Sequence, residues 1–261
     1  MRDGNHAGLF GNGWCAMRVL DLFAGIGGFT LGLERAGFET VAFCEIEPYA
    51  QKVLNKHWPE VPIYDDVRQL TADRLAADGI GVDVITGGFP CQDISVAGQQ
   101  AGIDGERSGL WGEIARLIGE LQPRHAIMEN VTNLISGDRG RWFGRVLGDL
   151  ASLGYDAEWH CIPASAIGAH HHRDRVWILA YSYSERGCSR DSKRQDASHA
   201  GQSPILTREH TGRVGAWDAE PSVGRVANGV PNRSHRLKCL GNAVVPQIPE
   251  LIGRAIMEAH A

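Results

Sequence analysis

Residues 19–28 read Val-Leu-Asp-Leu-Phe-Ala-Gly-Ile-Gly-Gly, and this stretch decides the fold. An apolar run with no helical period, followed at once by glycines, predicts a buried strand over Val19–Phe23 that ends in a tight turn. Helical spacing follows from Phe29 to Ala36, with Gly37 placed as a C-terminal cap. The alternation then repeats along the chain. Thr40–Cys44, Val82–Thr86, His125–Met128, Tyr155–Ile162 and Val176–Tyr181 are strand-like. Pro48 to about His57, Leu110–Leu121, Trp142–Leu150 and Ile248–Ala259 are helical, Pro48 being tolerated in a first turn. Strands spaced by helices predict an α/β, Rossmann-like domain: a mostly parallel sheet with helices on both faces. Such sheets bind ligands at the carboxyl ends of their strands.

Composition narrows the class. The 261 residues, 43% hydrophobic, suffice for one large core and a small second lobe. No stretch approaches the roughly 20 apolar residues of a membrane span, and the N-terminus lacks a secretory pattern. Residues 1–16 read as a leader without an apolar period, and Met17 offers an alternative start. The six cysteines (15, 44, 91, 161, 188 and 239) form no C-x-x-C pair, which points away from disulfides and zinc and fits a reducing cytoplasm. The net charge of −5 is unevenly spread: residues 181–238 carry ten Lys/Arg against six Asp/Glu. A basic segment on an acidic body suggests a face for an anionic partner, although a solvated polar loop explains it equally well. Residues 182–235 are rich in Ser, Gly, Arg and Asp, and a loop of that length in a compact domain is functional or disordered.

Three clusters carry chemistry. In the first, the glycines after Asp21-Leu22-Phe23-Ala24 let backbone approach a ligand closely. Thr30 stands where a dinucleotide fingerprint would place its last glycine. Glu45, 20 residues after Gly25, ends the next strand, where a carboxylate can accept ribose hydroxyls. Together they suggest an adenosine-containing cofactor without a pyrophosphate. In the second, Gly87-Gly88-Phe89-Pro90-Cys91-Gln92-Asp93-Ile94-Ser95 presents a cysteine rigidly just past a buried strand; alone, Cys91 reads equally as a small core residue. In the third, Glu129-Asn130-Val131 sets an acid beside an amide that can read a base edge or cap a helix.

The ordered set DLFAGIGG (21–28), CEIE (44–47), Asp65-Asp66-Val67, GGFPCQDIS (87–95), ERSGLW (106–111), ENV (129–131), His171-His172-Arg173-Asp174-Arg175-Val176 and LGNAVVP (240–246) resembles the DNA (cytosine-5)-methyltransferases of compact bacterial and phage type. The likeness covers roughly residues 17–180 and 221–261. It implies S-adenosylmethionine as methyl donor, S-adenosylhomocysteine as product and double-stranded DNA as partner, in a protein taken by default as a monomer. Phe23, Ala24, Gly25, Gly27 and Gly28 then match the cofactor turn, Glu45 and Ile46 the ribose and adenine side, and Asp66 and Val67 the adenine amino side. Pro90, Leu110, Asn242 and Ala243 match further cofactor positions. Cys91 matches the nucleophile, Glu129 the acid on the base's N3 and amine, Arg175 the arginine on its O2, and Arg173 a neighbour in that cluster. Gln92, Ser95 and Arg107 match the DNA side of a loop, 92–109, that closes on a flipped base. The resemblance divides the chain into a catalytic domain (17–181), a target-recognition region (182–232) and a C-terminal segment (233–261) returning to the catalytic domain.

Two departures stand out. His171 occupies a position where the family has glutamine. The three histidines 170–172 also invite a metal site, but neighbours on a strand alternate faces and would not converge on one ion. The target-recognition region is short, with Arg186, Arg190, Lys193, Arg194, Arg208 and Arg213 available for phosphate contacts that position without specifying. The resemblance leaves open whether the role is restriction–modification, anti-restriction or orphan methylation. A tRNA cytosine-5 methyltransferase and a non-catalytic DNA-binding relative are the competing readings.

Overall fold

The computed structural model describes residues 16–89, 110–183 and 233–260. The alternation of elements follows the sequence pattern. Strand β1 (Arg18–Leu22) leads to α1 (Gly28–Arg35), β2 (Glu39–Cys44), α2 (Pro48–His57), β3 (Ile63–Tyr64), α3 (Ala72–Ala77) and β4 (Val84–Gly88). Helix α4 (Leu110–Leu121), β5 (His125–Val131), α5 (Asn133–Ser136), α6 (Arg141–Ser152), β6 (Tyr155–Pro163) and β7 (Asp174–Ser182) follow. Helices α7 (Arg233–Asn242) and α8 (Gln247–His260) close the described chain.

The seven strands form one sheet in the order β3-β2-β1-β4-β5-β7-β6. The first five are parallel, so their carboxyl ends lie along one edge. β7 runs antiparallel between β5 and β6, pairing Glu129 with Trp177 and Val131 with Arg175. Its amino end therefore reaches the same edge. The expected parallel sheet is present with this antiparallel pair added at one side.

Alternation along the strands sorts side chains to two faces. Leu20, Leu22, Ile85, Met128 and Ile178 pack with Ile114, Leu117 and Ile118 of α4 and Val146 and Leu150 of α6. Val19, Val84, Ile127, Trp177 and Leu179 pack with Phe29 and Leu33 of α1 and Ile248, Ile252 and Ile256 of α8. Helices thus cover both faces, and each fully buried Leu or Ile contributes roughly 2 kcal/mol. Helix α1 ends as its sequence predicts: Gly37 takes φ 97°, its N–H reaches the Glu34 carbonyl and that of Phe38 the Leu33 carbonyl. Pro48 sits in the first turn of α2.

Two local expectations change. His170–His172 lie in the loop before β7 and are exposed, so strand alternation does not govern them. Asn130 is a strand residue rather than a helix cap; its side chain is used otherwise, as described below. The leader, the segment 184–232 and the positions Pro90, Cys91, Gln92, Ser95 and Arg107 lie outside the described residues.

Candidate active site

At the carboxyl end of β1 the chain turns through Phe23 (φ 54°) and Gly25 (φ 56°) before α1 starts at Gly28. Among the described residues a Cβ at Gly25 would meet only the Phe23 carbonyl, at 4.0 Å, which leaves room above it for a ligand. Gly25 N–H donates to Glu45 Oε2 (2.7 Å) and Glu47 N–H to Glu45 Oε1 (2.8 Å). One carboxylate therefore ties the glycine turn to the end of β2, and each oxygen keeps a lone pair for another donor. Ala24 is buried and Ile46 is 63% exposed beside Glu45, an apolar side chain at the rim of this opening. A Cβ at Gly28 would lie 2.6 Å from the Val244 carbonyl, so the segment after Asn242 and Ala243 is pressed against the start of α1. The exposed Asn242 ends α7 and half-buried Ala243 follows it.

Beneath the turn, Asp21 is fully buried and accepts from Thr30 Oγ1 (2.8 Å) and Thr86 Oγ1 (2.8 Å). Burial pushes its carboxyl up to about 6, and the two hydroxyls oppose that shift. This tie joins β1, α1 and β4.

Asp66 follows β3 on the same edge. Arg68 engages it through backbone N–H (3.0 Å), Nε (3.0 Å) and Nη2 (2.9 Å), holding its carboxyl below the usual range. Val67 turns its side chain into the core, and half-buried Leu110 opens α4. Helix α7 flanks the opening: Lys238 Nζ meets Glu47 Oε2 at 3.0 Å, and His235 stacks on Tyr49.

A second cluster lies at the ends of β4, β5 and β7. Glu129 is 8% exposed, and Arg175 Nε lies 2.8 Å from its Oε1. Burial raises the Glu129 carboxyl above its ordinary range, while Arg175 and Arg173 pull it back. Desolvation dominates because the group is almost wholly out of water. Gly88 leaves room for this carboxylate, since a Cβ there would be 3.1 Å from Oε2. Arg173, with φ 37°, sends Nη1 to the Gly241 carbonyl and so links the arginine cluster to α7.

Asn130 Nδ2 donates to the Phe89 carbonyl (3.3 Å), and Asn130 Oδ1 accepts from Val131 N–H (2.8 Å). Phe89 is buried and packs its ring on Trp111, itself held by Asp149. The point from which the chain departs toward Cys91 is therefore anchored beside Glu129. The three cysteines described, 44, 161 and 239, are all shifted upward, Cys44 to about 12 by burial and nearby acids, so none is an activated nucleophile.

The structure brings together Phe23–Gly28, Glu45, Ile46, Asp66, Glu129, Arg173, Arg175, Asn242 and Ala243 along one sheet edge. Sequence reasoning missed the roles of Asp21, Thr30, Thr86, Arg68 and Lys238. Only Asp21, an acid inside an apolar run, left a signal in the sequence.

Comparison with known proteins agrees with this arrangement. The family model for C-5 cytosine-specific DNA methylase matches residues 17–215. Over 168 residues the chain is 36% identical to the Type II methyltransferase M2.BsuMI of Bacillus subtilis, covering 63% of this chain and 42% of the relative. It is 34% identical over 165 residues to M.HhaI of Haemophilus parahaemolyticus, covering 63% and 49%. The chain thus spans about half or less of the length of these curated relatives. A solved structure assigned as a DNA modification methyltransferase of an E. coli prophage aligns at TM-score 0.58 and 28% identity, covering 66% of this chain and 48% of that one. Spodoptera frugiperda DNMT2 shares the fold at TM-score 0.53 and 22% identity, covering 69% and 54%. A glycine turn held by Glu45, an arginine-paired Glu129 at the end of β5, and a family model that spans most of the described sheet converge on one assignment: the chain belongs to the C-5 cytosine-specific DNA methylase family.

Proposed function

We propose that this protein transfers a methyl group from S-adenosylmethionine to carbon 5 of cytosine in double-stranded DNA, with Cys91 as nucleophile. The observation that carries this reading is the pairing of buried Glu129 with Arg175 next to the anchored exit of the Phe89–Cys91 segment. Cys91 is two residues past Phe89, so chain length keeps their Cα atoms within about 8 Å.

The residues at the first opening fit the cofactor. Glu45 supplies acceptors for ribose hydroxyls, the bare Gly25 leaves space, and Asp66 accepts from the adenine amino group. When bound, the cofactor supplies an electrophilic methyl on a sulfonium. Cys91 adds as thiolate to carbon 6 of the base, which makes carbon 5 electron-rich. Glu129 holds N3 and the exocyclic amine, and burial favours the protonated form that donates to N3 as charge enters the ring. Arg175 pairs with O2. After methyl transfer, loss of the carbon 5 proton and expulsion of the Cys91 thiolate restore the aromatic ring. A base inside a duplex cannot be reached in this way, so the target nucleotide flips out, and residues 92–109 close over it through Gln92, Ser95 and Arg107. Residues 182–232 read the target, and the shortness of that segment fits a short recognition site.

The test is methyl transfer from labelled S-adenosylmethionine to unmodified DNA, followed by bisulfite sequencing. Protected cytosines in one short context are expected. Label entering tRNA but not DNA, or no difference from Cys91→Ser, would overturn the proposal.

A further inference from the structure

Arg116 lies outside every motif singled out above, yet its guanidinium makes four bonds, two to the segment between β3 and α3 and two within its own helix α4. Nη2 donates to the Val67 carbonyl (2.9 Å) and the Leu70 carbonyl (2.8 Å). Nε bonds Glu113 Oε2 (2.8 Å) and Nη1 bonds Glu120 Oε1 (2.7 Å), both on its own helix α4. Glu120 Oε2 in turn accepts from Ala72 N–H (3.0 Å), the first residue of α3. The backbone of residues 67–72 is thus fastened at three points to α4.

This is the segment that carries Asp66. Its other end is fastened as well: Gln51 Nε2 bonds Asp65 Oδ1 (2.9 Å) and the Glu45 carbonyl (2.6 Å). Between the two anchors, a turn closes from Gln69 N–H to the Asp66 carbonyl (3.0 Å). A guanidinium is suited to this task because its planar fork serves two carbonyls and two carboxylates at once, which an ammonium cannot do in fixed geometry. Two carboxylates flanking it keep it charged and oriented, and Arg116 is only 30% exposed. The same helix opens with Leu110 and follows the segment that contains Cys91.

Resting on the cofactor reading above, we infer that Arg116 is a positioning residue for adenine recognition: it fixes the Asp66–Val67 backbone so that the Asp66 carboxylate meets the adenine amino group. Arg116 touches neither cofactor nor base. Its loss removes the two ties nearest Asp66 and leaves only the Ala72–Glu120 bond to α4, while Arg68 still pairs with Asp66, so the carboxylate survives but is no longer aimed. The effect falls on cofactor affinity and on discrimination at the purine amino position, and leaves the methyl-transfer step unchanged once cofactor is saturating.

The experiment compares binding of S-adenosylhomocysteine with that of S-inosylhomocysteine, whose hypoxanthine carries a carbonyl in place of the amino group. Calorimetry is run on the whole chain as wild type, Arg116→Met and Arg116→Lys, with thermal melts to establish folding. Wild type prefers the adenine ligand, because a carboxylate accepts from an amino group and repels a carbonyl. In Arg116→Met the adenine ligand weakens about tenfold, the hypoxanthine ligand changes by less than about twofold, and the preference collapses. Arg116→Lys falls between the two. The cofactor KM rises while kcat at saturation stays within about twofold. A folded Arg116→Met protein that keeps the wild-type preference would overturn the inference, as would equal weakening of both ligands, the mark of a merely structural role. If Arg116→Met does not fold, Arg116→Lys and Glu120→Gln carry the same comparison. No preference in the wild type would overturn the adenine assignment of Asp66 and the clamp with it. No binding of either ligand would instead overturn the proposed function.

Discussion

Arg175 Nε stands 2.8 Å from Glu129 Oε1, joining the amino end of the antiparallel β7 to the carboxyl end of β5. Both side chains are mostly buried, at 22% and 11% exposure, so each is the other's chief compensation for lost water. Arg175→Met leaves the carboxyl without its cation and should destabilise the protein by about 3 kcal/mol near neutral pH. The deficit depends on pH with a definite sign. Burial already raises the folded Glu129 carboxyl above 4.5, and loss of Arg175 raises it further. The folded variant then keeps the Glu129 proton to higher pH than the folded wild type does, so its stability relative to wild type falls as pH rises through the wild-type carboxyl's range toward its own. Thermal melts of both proteins between pH 5 and pH 8 should diverge with increasing pH.

Glu45 accepts from two backbone amides, Gly25 N–H and Glu47 N–H. A glutamine keeps one acceptor oxygen and turns an NH2 toward the other amide. Glu45→Gln should weaken S-adenosylhomocysteine binding about tenfold or more, with the KM for DNA unchanged. Titration calorimetry checks the first part and initial rates the second.

Asp21 carries a pH signature of its own. Its folded carboxyl titrates at about 6, against 3.8 ordinarily, so the folded state binds the extra proton between these values. Wild-type stability therefore contains a contribution that is present below 3.8 and lost as pH rises through about 6, on the order of 3 kcal/mol at the limit. Asp21→Asn cannot titrate and lacks this loss. Urea melts should show the variant gaining on wild type from pH 4 to about pH 6.5, with no further change above. A difference independent of pH would show that the Thr30 and Thr86 hydroxyls keep the carboxylate at its ordinary acidity.

Much of this architecture was legible in the sequence where one element's residues sufficed to specify it. Val19–Gly28 announced its strand and turn, Gly37 its cap, and Pro48 its helix start. Elements too short for a period went unread: β3 has two residues, and α3 six. Helix α7 was not read from the sequence. Its segment is polar, Leu237 and Leu240 are exposed, and its contacts with Glu47, Tyr49 and Arg173 come from far along the chain. Strand direction was equally hidden, since β7 has the composition of a parallel strand and its reversal follows only from its pairing with β5 and β6. At the site, Glu45 and Glu129 could be picked out because each ends an apolar run. Arg116 could not: on a helix with acids three residues before and four after, it looks like any solvent-facing cation, and its backbone acceptors on Val67 and Leu70 lie more than forty positions away.

The central claim is the covalent step through Cys91, and the most direct measurement is trapping on duplex DNA in which 5-fluorocytosine replaces cytosine. Fluorine at carbon 5 cannot leave as a proton does, so an adduct that has accepted the methyl group cannot collapse. A denaturation-resistant protein–DNA complex that requires S-adenosylmethionine, is absent in Cys91→Ala and maps by mass spectrometry to the Cys91 peptide is the predicted result. A complex that persists in Cys91→Ala, or maps to another residue, would contradict it.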